Sequence, residues 1–139
     1  MSSPPYGYRH GPRVPRRLPV DSSTSDIAVG DLITEGTAGY YQQAAAAAGT
    51  VIGVAMEAVS SPSADGDASI LVDVSDQSVY EYAPDAGTVT EALVGHLWDV
   101  GGAESVNIAS SLDDTLYCVG VDTDANTVFV QLNIRANAT

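Results

Sequence analysis

The sequence predicts an all-β protein: a small β-barrel preceded by an extended proline-rich N-terminal arm. Three observations carry this. Runs of four to eight β-branched and aromatic residues alternate with Gly, Asp, Asn and Ser clusters at short spacing. Helix signals are few. Five of the seven prolines fall within the first twenty residues, which sets that stretch apart from the rest. With 139 residues the chain has one domain's worth of length, enough to bury a core.

In the arm, Pro4, Pro5, Pro12, Pro15 and Pro19 are interleaved with Tyr6, Tyr8, Arg9, Arg13, Arg16 and Arg17. Prolines at this density exclude a helix and a central strand. The segment reads as polyproline-biased, stiffer than a Gly/Ser linker, and so loses less entropy on docking to a partner. Ser22-Ser23-Thr24-Ser25 forms a polar joint, giving an arm over residues 1–25 and a barrel domain over 26–139.

Ile27 to Thr34 reads as a strand interrupted at Gly30-Asp31, and Tyr40 to Ala44 returns as its hairpin partner after the turn at Gly36 to Gly39. Val51 to Val59 is the next strand. Ala44 to Ala48 has helical composition but is too short, before Gly49, to sustain an isolated helix. Ser69 to Val74 alternates, with Ile70, Val72 and Val74 on one face, and Ser78 to Ala83 follows until Pro84-Asp85-Ala86-Gly87 breaks the pattern. Thr90 to Val94 forms one helical turn that Gly95 ends in the left-handed conformation. His96 to Val100, Ser105 to Ile108, Thr115 to Val121 and Thr127 to Ile134 complete the strands. Eight or nine strands in about 115 residues curl into a closed or nearly closed barrel, because an open sheet leaves long unpaired edges.

Charge narrows the function. There are 18 acids against five arginines and no lysine, a net charge of −13, which argues against nucleic acid as the main partner. Four of the arginines lie in the first twenty residues and every acid lies from Asp21 onward. No apolar run approaches the roughly 20 residues of a membrane span, and the N-terminus lacks the apolar region of a secretory signal. The expectation is a soluble protein that is not exported by that route and does not act in a membrane.

No constellation of catalytic residues stands out. The chain has no Gly-x-Ser-x-Gly, and Cys118 lies mid-strand in Leu116-Tyr117-Cys118-Val119, where it reads as a core thiol. One cysteine with only His10 and His96 beside it makes neither an internal disulfide nor a zinc cluster. His96 reads as a polar residue at a strand start, and no glycine-rich phosphate loop precedes a helix. Asp122, Asp124 and Asn126 match the first positions of a calcium loop, but Thr127 stands where glycine belongs and Asn133 where glutamate belongs. A hairpin tip explains them. The pairs Asp65/Asp67, Asp73/Asp76 and Asp113/Asp114 fall at turns or exposed strand positions and read as solvated. Asn137-Ala138-Thr139 matches the glycosylation sequon, which carries little meaning without export. The expectation is no enzyme, no metal and no cofactor.

The order of short motifs then becomes informative. Val29-Gly30-Asp31-Leu32-Ile33, Val51-Ile52-Gly53-Val54-Ala55, Ser69-Ile70-Leu71-Val72, Leu93-Val94-Gly95-His96-Leu97-Trp98-Asp99-Val100, and Val119-Gly120-Val121-Asp122 before Val128-Phe129-Val130 follow one another. Over about Asp26 to Ile134 this order resembles the capsid decoration, or cement, proteins of tailed viruses, bacteriophages included. His96 departs from the lysine-like residue usual after the corner glycine, and the basic arm is not a general feature of the family. The resemblance implies a β-barrel or β-tulip body on the outer capsid surface of the virion. It also implies a homotrimer at three-fold or quasi-three-fold positions, clamping neighbouring subunits of the major capsid protein. The arm residues Tyr6, Tyr8, Arg9, Arg13, Arg16 and Arg17 are the candidate shell contacts, since a basic, stiff arm on an acidic body suits an acidic shell. The competing reading is a free-standing β-barrel binding module, for host-surface carbohydrate, with Tyr40, Tyr41, Tyr80, Tyr82 and Trp98 as an aromatic platform. Tyrosines paired along strands more often serve cross-strand packing.

From Asp21 onward, 18 acids face Arg135 alone, so the body carries −17 and repels itself. Ions screen that repulsion over about 8 Å at physiological ionic strength. Thermal denaturation across a salt series should therefore give a Tm that rises from low salt; a Tm that falls steadily counts against self-repulsion as the dominant electrostatic force.

Overall fold

Both sheets begin in the segment that the prolines mark as extended. The structure, a computed structural model, describes residues 7–46 and 48–133. Tyr6, the strand end at Ile134, Arg135 and the Asn137 sequon lie outside the described residues. β1 (Gly7–His10) pairs antiparallel with β7 (Val79–Pro84), and β2 (Pro15–Pro19) pairs antiparallel with β6 (Ser69–Asp73). These strands lie before the boundary placed after residue 25, yet their partners lie beyond it. Both are edge strands of their sheets, the position in which a sheet tolerates proline.

The remaining elements follow the turn punctuation of the sequence. They are β3 (Leu32–Glu35), β4 (Tyr41–Gln43), β5 (Gly53–Ala55), the single 3-10 turn Glu91–Leu93, β8 (Leu97–Gly102), β9 (Ser105–Asn107), β10 (Leu116–Asp122) and β11 (Thr127–Leu132). The protein is all-β with two sheets. The first has the order β1-β7-β11-β10-β8-β9, and an added parallel pairing of β7 with β9 makes it ring-like. The second has the order β2-β6-β5-β3-β4. No helix among the described residues is long and apolar enough to cross a membrane.

Two apolar cores result, and the second sheet lies between them. Leu32 and Val54 join Tyr80, Tyr82, Val100, Leu116, Cys118, Val128 and Val130 in the larger core against the ring. Their immediate neighbours Ile33 and Ala55 join Val20, Ile27, Ile70 and Val72 in the smaller one. Successive strand residues point to opposite faces, so β3 and β5 are buried on both. Their burial explains why Leu32-Ile33 and Gly53-Val54-Ala55 read as unbroken apolar runs rather than as alternation.

Two glycines hold close contacts, one between the two sheets and one between neighbouring strands of the second. Gly30 has φ +94°, in the left-handed region, and its carbonyl accepts the buried Tyr82 hydroxyl at 2.7 Å. At Gly53, a Cβ would meet Val72 Cγ1 and, at 2.5 Å, the Asp73 carbonyl oxygen. Overpacking of this kind costs about 1–3 kcal/mol. Gly53→Ala should therefore lower the denaturant midpoint by a corresponding amount with the slope unchanged, and an unshifted midpoint would show that β5 and β6 can separate freely.

Candidate functional site

The arginines lie on the strap formed by β1, the turn after it and β2, and the structure gives three of them carboxylate partners within the chain. Arg9 Nε meets Glu81 Oε1 at 2.7 Å. Arg13 Nε lies 3.5 Å from Asp73 Oδ2, an ion-pair distance rather than a hydrogen bond. Arg17 Nη1 lies 3.1 Å from Glu57 Oε2 and 3.3 Å from Ser69 Oγ. Arg16 is exposed and has no carboxylate partner among the described residues. Of the two tyrosines, Tyr8 is half-buried. Its hydroxyl donates to the Gly11 carbonyl at 2.6 Å, its ring meets Tyr80 edge-on at 5.8 Å, and the Arg13 guanidinium lies 3.9 Å over it.

Asp73 anchors the strap, and sequence reasoning placed it among solvated acids. That is corrected here: the residue is fully buried. Its Oδ1 accepts the Val14 N–H at 2.9 Å and the Ser75 N–H at 3.0 Å, while Oδ2 accepts the Tyr80 hydroxyl in a short hydrogen bond. Burial pushes the carboxyl upward, but the bonds from Tyr80, Val14, Ser78 and Ser75 outweigh it and hold the group below the usual range. Burial, with the same carboxylate second, pushes the Tyr80 phenol well above its ordinary value. The available signal was Asp73-Val74-Ser75, an Asx-turn spacing in which the side chain binds the backbone two residues on.

Where Tyr8 and Arg13 meet the seam between the sheets there is a cavity of about 510 Å³, lined also by Val29, Val54, Tyr80 and Glu104. Across this seam the Leu32 N–H donates to the Ala103 carbonyl at 2.7 Å, which brings Glu104 beside Asp31. Asp31 is buried and accepts the Ala28 N–H and Gln43 Nε2 through Oδ2. Burial and the Asp31 carboxylate push the Glu104 carboxyl up to about 7. Among the described residues, no group of three or more His, Cys, Asp or Glu side chains converges to hold a metal ion.

The other candidates resolve one by one. Tyr80 and Tyr82 are fully buried, with rings stacked at 6.3 Å, so they cannot form the aromatic platform of the binding-module reading. Tyr40 and Tyr41 are half-buried, and the Trp98 indole donates to the Leu93 carbonyl. Cys118 is buried, and burial pushes its thiol up. His96 is exposed, with its ring edge-on to Trp98. Asp122 accepts the N–H groups of Asp124 and Ala125 at the β10–β11 tip, and Asn126 adopts φ +58°, which makes this a hairpin turn as the sequence predicted. Asp113 and Asp114 donate their N–H groups to Asp99, whose carboxylate is buried.

These carboxyls make stability depend on pH in two windows. Asp21, held down by the Ser23 hydroxyl and the Thr37 and Ser23 backbone, titrates below its unfolded value, as do Asp73 and Asp99. Their contribution is complete above about pH 4 and is lost as pH falls through their folded values. Glu104 behaves oppositely: the folded state keeps a proton that the unfolded chain releases, so stability declines between about pH 4.5 and 7. Glu104→Gln should remove that decline and raise stability at pH 8 by on the order of 1 kcal/mol, with solvent screening reducing the full shift, and by much less at pH 5. Equal gains at both pH values, read by urea denaturation, would exclude Glu104 as the titrating group. Comparison of the chain with protein-family models, curated proteins and solved structures found no match.

Proposed function

We propose that this chain is a structural virion protein that binds the outer surface of an icosahedral capsid and holds neighbouring major capsid subunits together. The observation that carries the reading is the strap. All the arginines among the described residues stand on it, in a chain of net charge −13, and Arg9, Pro12, Val14, Pro15, Arg16 and Arg17 are exposed along it. A cationic strip on an acidic body is complementary to an acidic shell surface and selects against other faces of the molecule. Because β1 and β2 fix the strip within the sheets, its ordering occurs on folding, and little further entropy is lost on docking.

The motif order supports the same reading, since Gly30, Gly53 and Gly95 each serve the backbone at the step where the family-like pattern places a glycine. The body is then a small barrel of the β-tulip kind, and three copies sit at a three-fold or quasi-three-fold position. Several weak contacts per particle suffice when they act together. The burial of Tyr80 and Tyr82 takes two of the five rings from the carbohydrate reading.

Deleting residues 1–20 would remove β1 and β2, so the test uses single substitutions and cosedimentation with bare capsids. Arg16→Gln should weaken attachment of one copy by up to about fivefold, as expected for an exposed pair of about 0.2–1 kcal/mol, and Arg16→Glu should weaken it further. Both should melt near the parent Tm. Undiminished decoration by folded Arg16→Glu would move the attachment away from the strap, and no sedimentation of the parent chain with capsids would overturn the function.

A further inference from the structure

The two prolines of β2, Pro15 and Pro19, stand four residues apart and so face the same way along the strand, and the register shows where their missing donors fall. The Val74 N–H donates to the Val14 carbonyl and the Val20 N–H to the Ala68 carbonyl, both at 2.9 Å. Between these points Arg16 is opposite Val72 and Leu18 is opposite Ile70. Antiparallel pairs alternate, so residues 14, 16, 18 and 20 direct their backbone groups toward β6, and 15, 17 and 19 direct theirs outward. Two of those three outward residues are proline. A strand laid on this edge finds a single N–H donor, that of Arg17.

The rest of the second sheet is closed to strand addition. At its other edge, the Tyr41 carbonyl accepts the Asp21 N–H at 2.8 Å, and the Gln43 N–H donates to Thr24 Oγ1 at 2.9 Å. Val20 bridges Tyr41 in parallel, which covers the end of β2 next to Pro19. The open stretch is Pro15, Arg16 and Arg17, all exposed. We infer that β2 is a guarded edge, on which proline and arginine keep a second copy of this chain from adding a strand to the second sheet. Proline withholds the donors that an incoming strand's carbonyls require, and a second β2 brought alongside would set Arg16 and Arg17 against like charges.

The guard does not depend on capsid binding, and its test needs no capsid. In the parent chain, amide hydrogen exchange should find Arg16 and Leu18 protected and Arg17 exchanging much faster. Pro15→Ala supplies a second donor two residues from Arg17, and Pro15→Val adds strand propensity. Sedimentation velocity should then show association beyond the parent's own state at concentrations at least about tenfold lower than the parent requires, with the Arg17 amide gaining protection. Folded variants that associate no more readily than the parent would overturn the inference. So would an Arg17 amide in the parent as slow as its neighbours, a measurement that stands even if a variant fails to fold.

Discussion

The buried carboxylate of Asp73 is the interaction on which the arrangement depends, because it ties the two sheets and the strap to one another. It stands at the end of β6 in the second sheet, receives the hydroxyl of Tyr80 from the ring-like sheet, and takes the Val14 N–H and the Arg13 charge from the strap. A fully buried carboxylate is costly unless its lone pairs are used. Removing any one of these donors therefore leaves charge uncompensated rather than deleting one contact. The strap is held where it is because the carboxylate needs what it brings.

The same logic recurs with other aspartates and changes the meaning of the acidic composition. Asp21 binds the Ser23 backbone and hydroxyl and the Thr37 N–H, which joins the end of the strap to the β3–β4 hairpin. Asp99 takes Ser110 Oγ and the N–H groups of Leu112, Asp113 and Asp114, folding the long connection before β10 onto β8. A protein with few helices has many turn amides left without ladder partners, and an ionised carboxylate is a strong acceptor for them. Some of the negative charge is thus internal framework, and net charge alone overstates what faces a partner.

Strands with one buried face were legible in the sequence. Val128, Val130 and Leu132 alternate as expected along β11, and Asp122 to Asn126 carry turn chemistry at the tip before it. The glycine step at Gly95 was legible for the same reason, since a single left-handed residue ends the 3-10 turn. Two features were hidden. Leu32-Ile33 and Val54-Ala55 are buried on both faces, so no alternation reported that a second core lay behind the sheet. β1 and β2 were hidden by the prolines within β2 and on either side of β1, which exclude a central strand but leave an edge strand open, and composition cannot tell an edge from a free arm. The candidate site was half legible: the arginines were found, whereas Glu57, Asp73 and Glu81, which pair with three of them, are distant in sequence and carry no local mark.

Those pairings bear on how a strap of arginines can serve both the fold and a partner. A guanidinium offers five N–H donors in a flat fork, more than one carboxylate accepts. Arg17 uses Nη1 on Glu57 and Ser69, and its side chain keeps about half its surface, 53%, exposed. The internal carboxylate then works less as a competitor than as a brace, fixing the fork at the surface and removing rotamers that binding would otherwise have to freeze. A lysine at the same place would present a point charge on a freely turning stem. Arg13, with its guanidinium over Tyr8 and beside buried Asp73, is committed to the fold, and Arg16, unbraced, keeps its full charge for an external acid. The strap thus mixes structural and available arginines, and the division follows from where the rest of the chain places Glu57, Asp73 and Glu81.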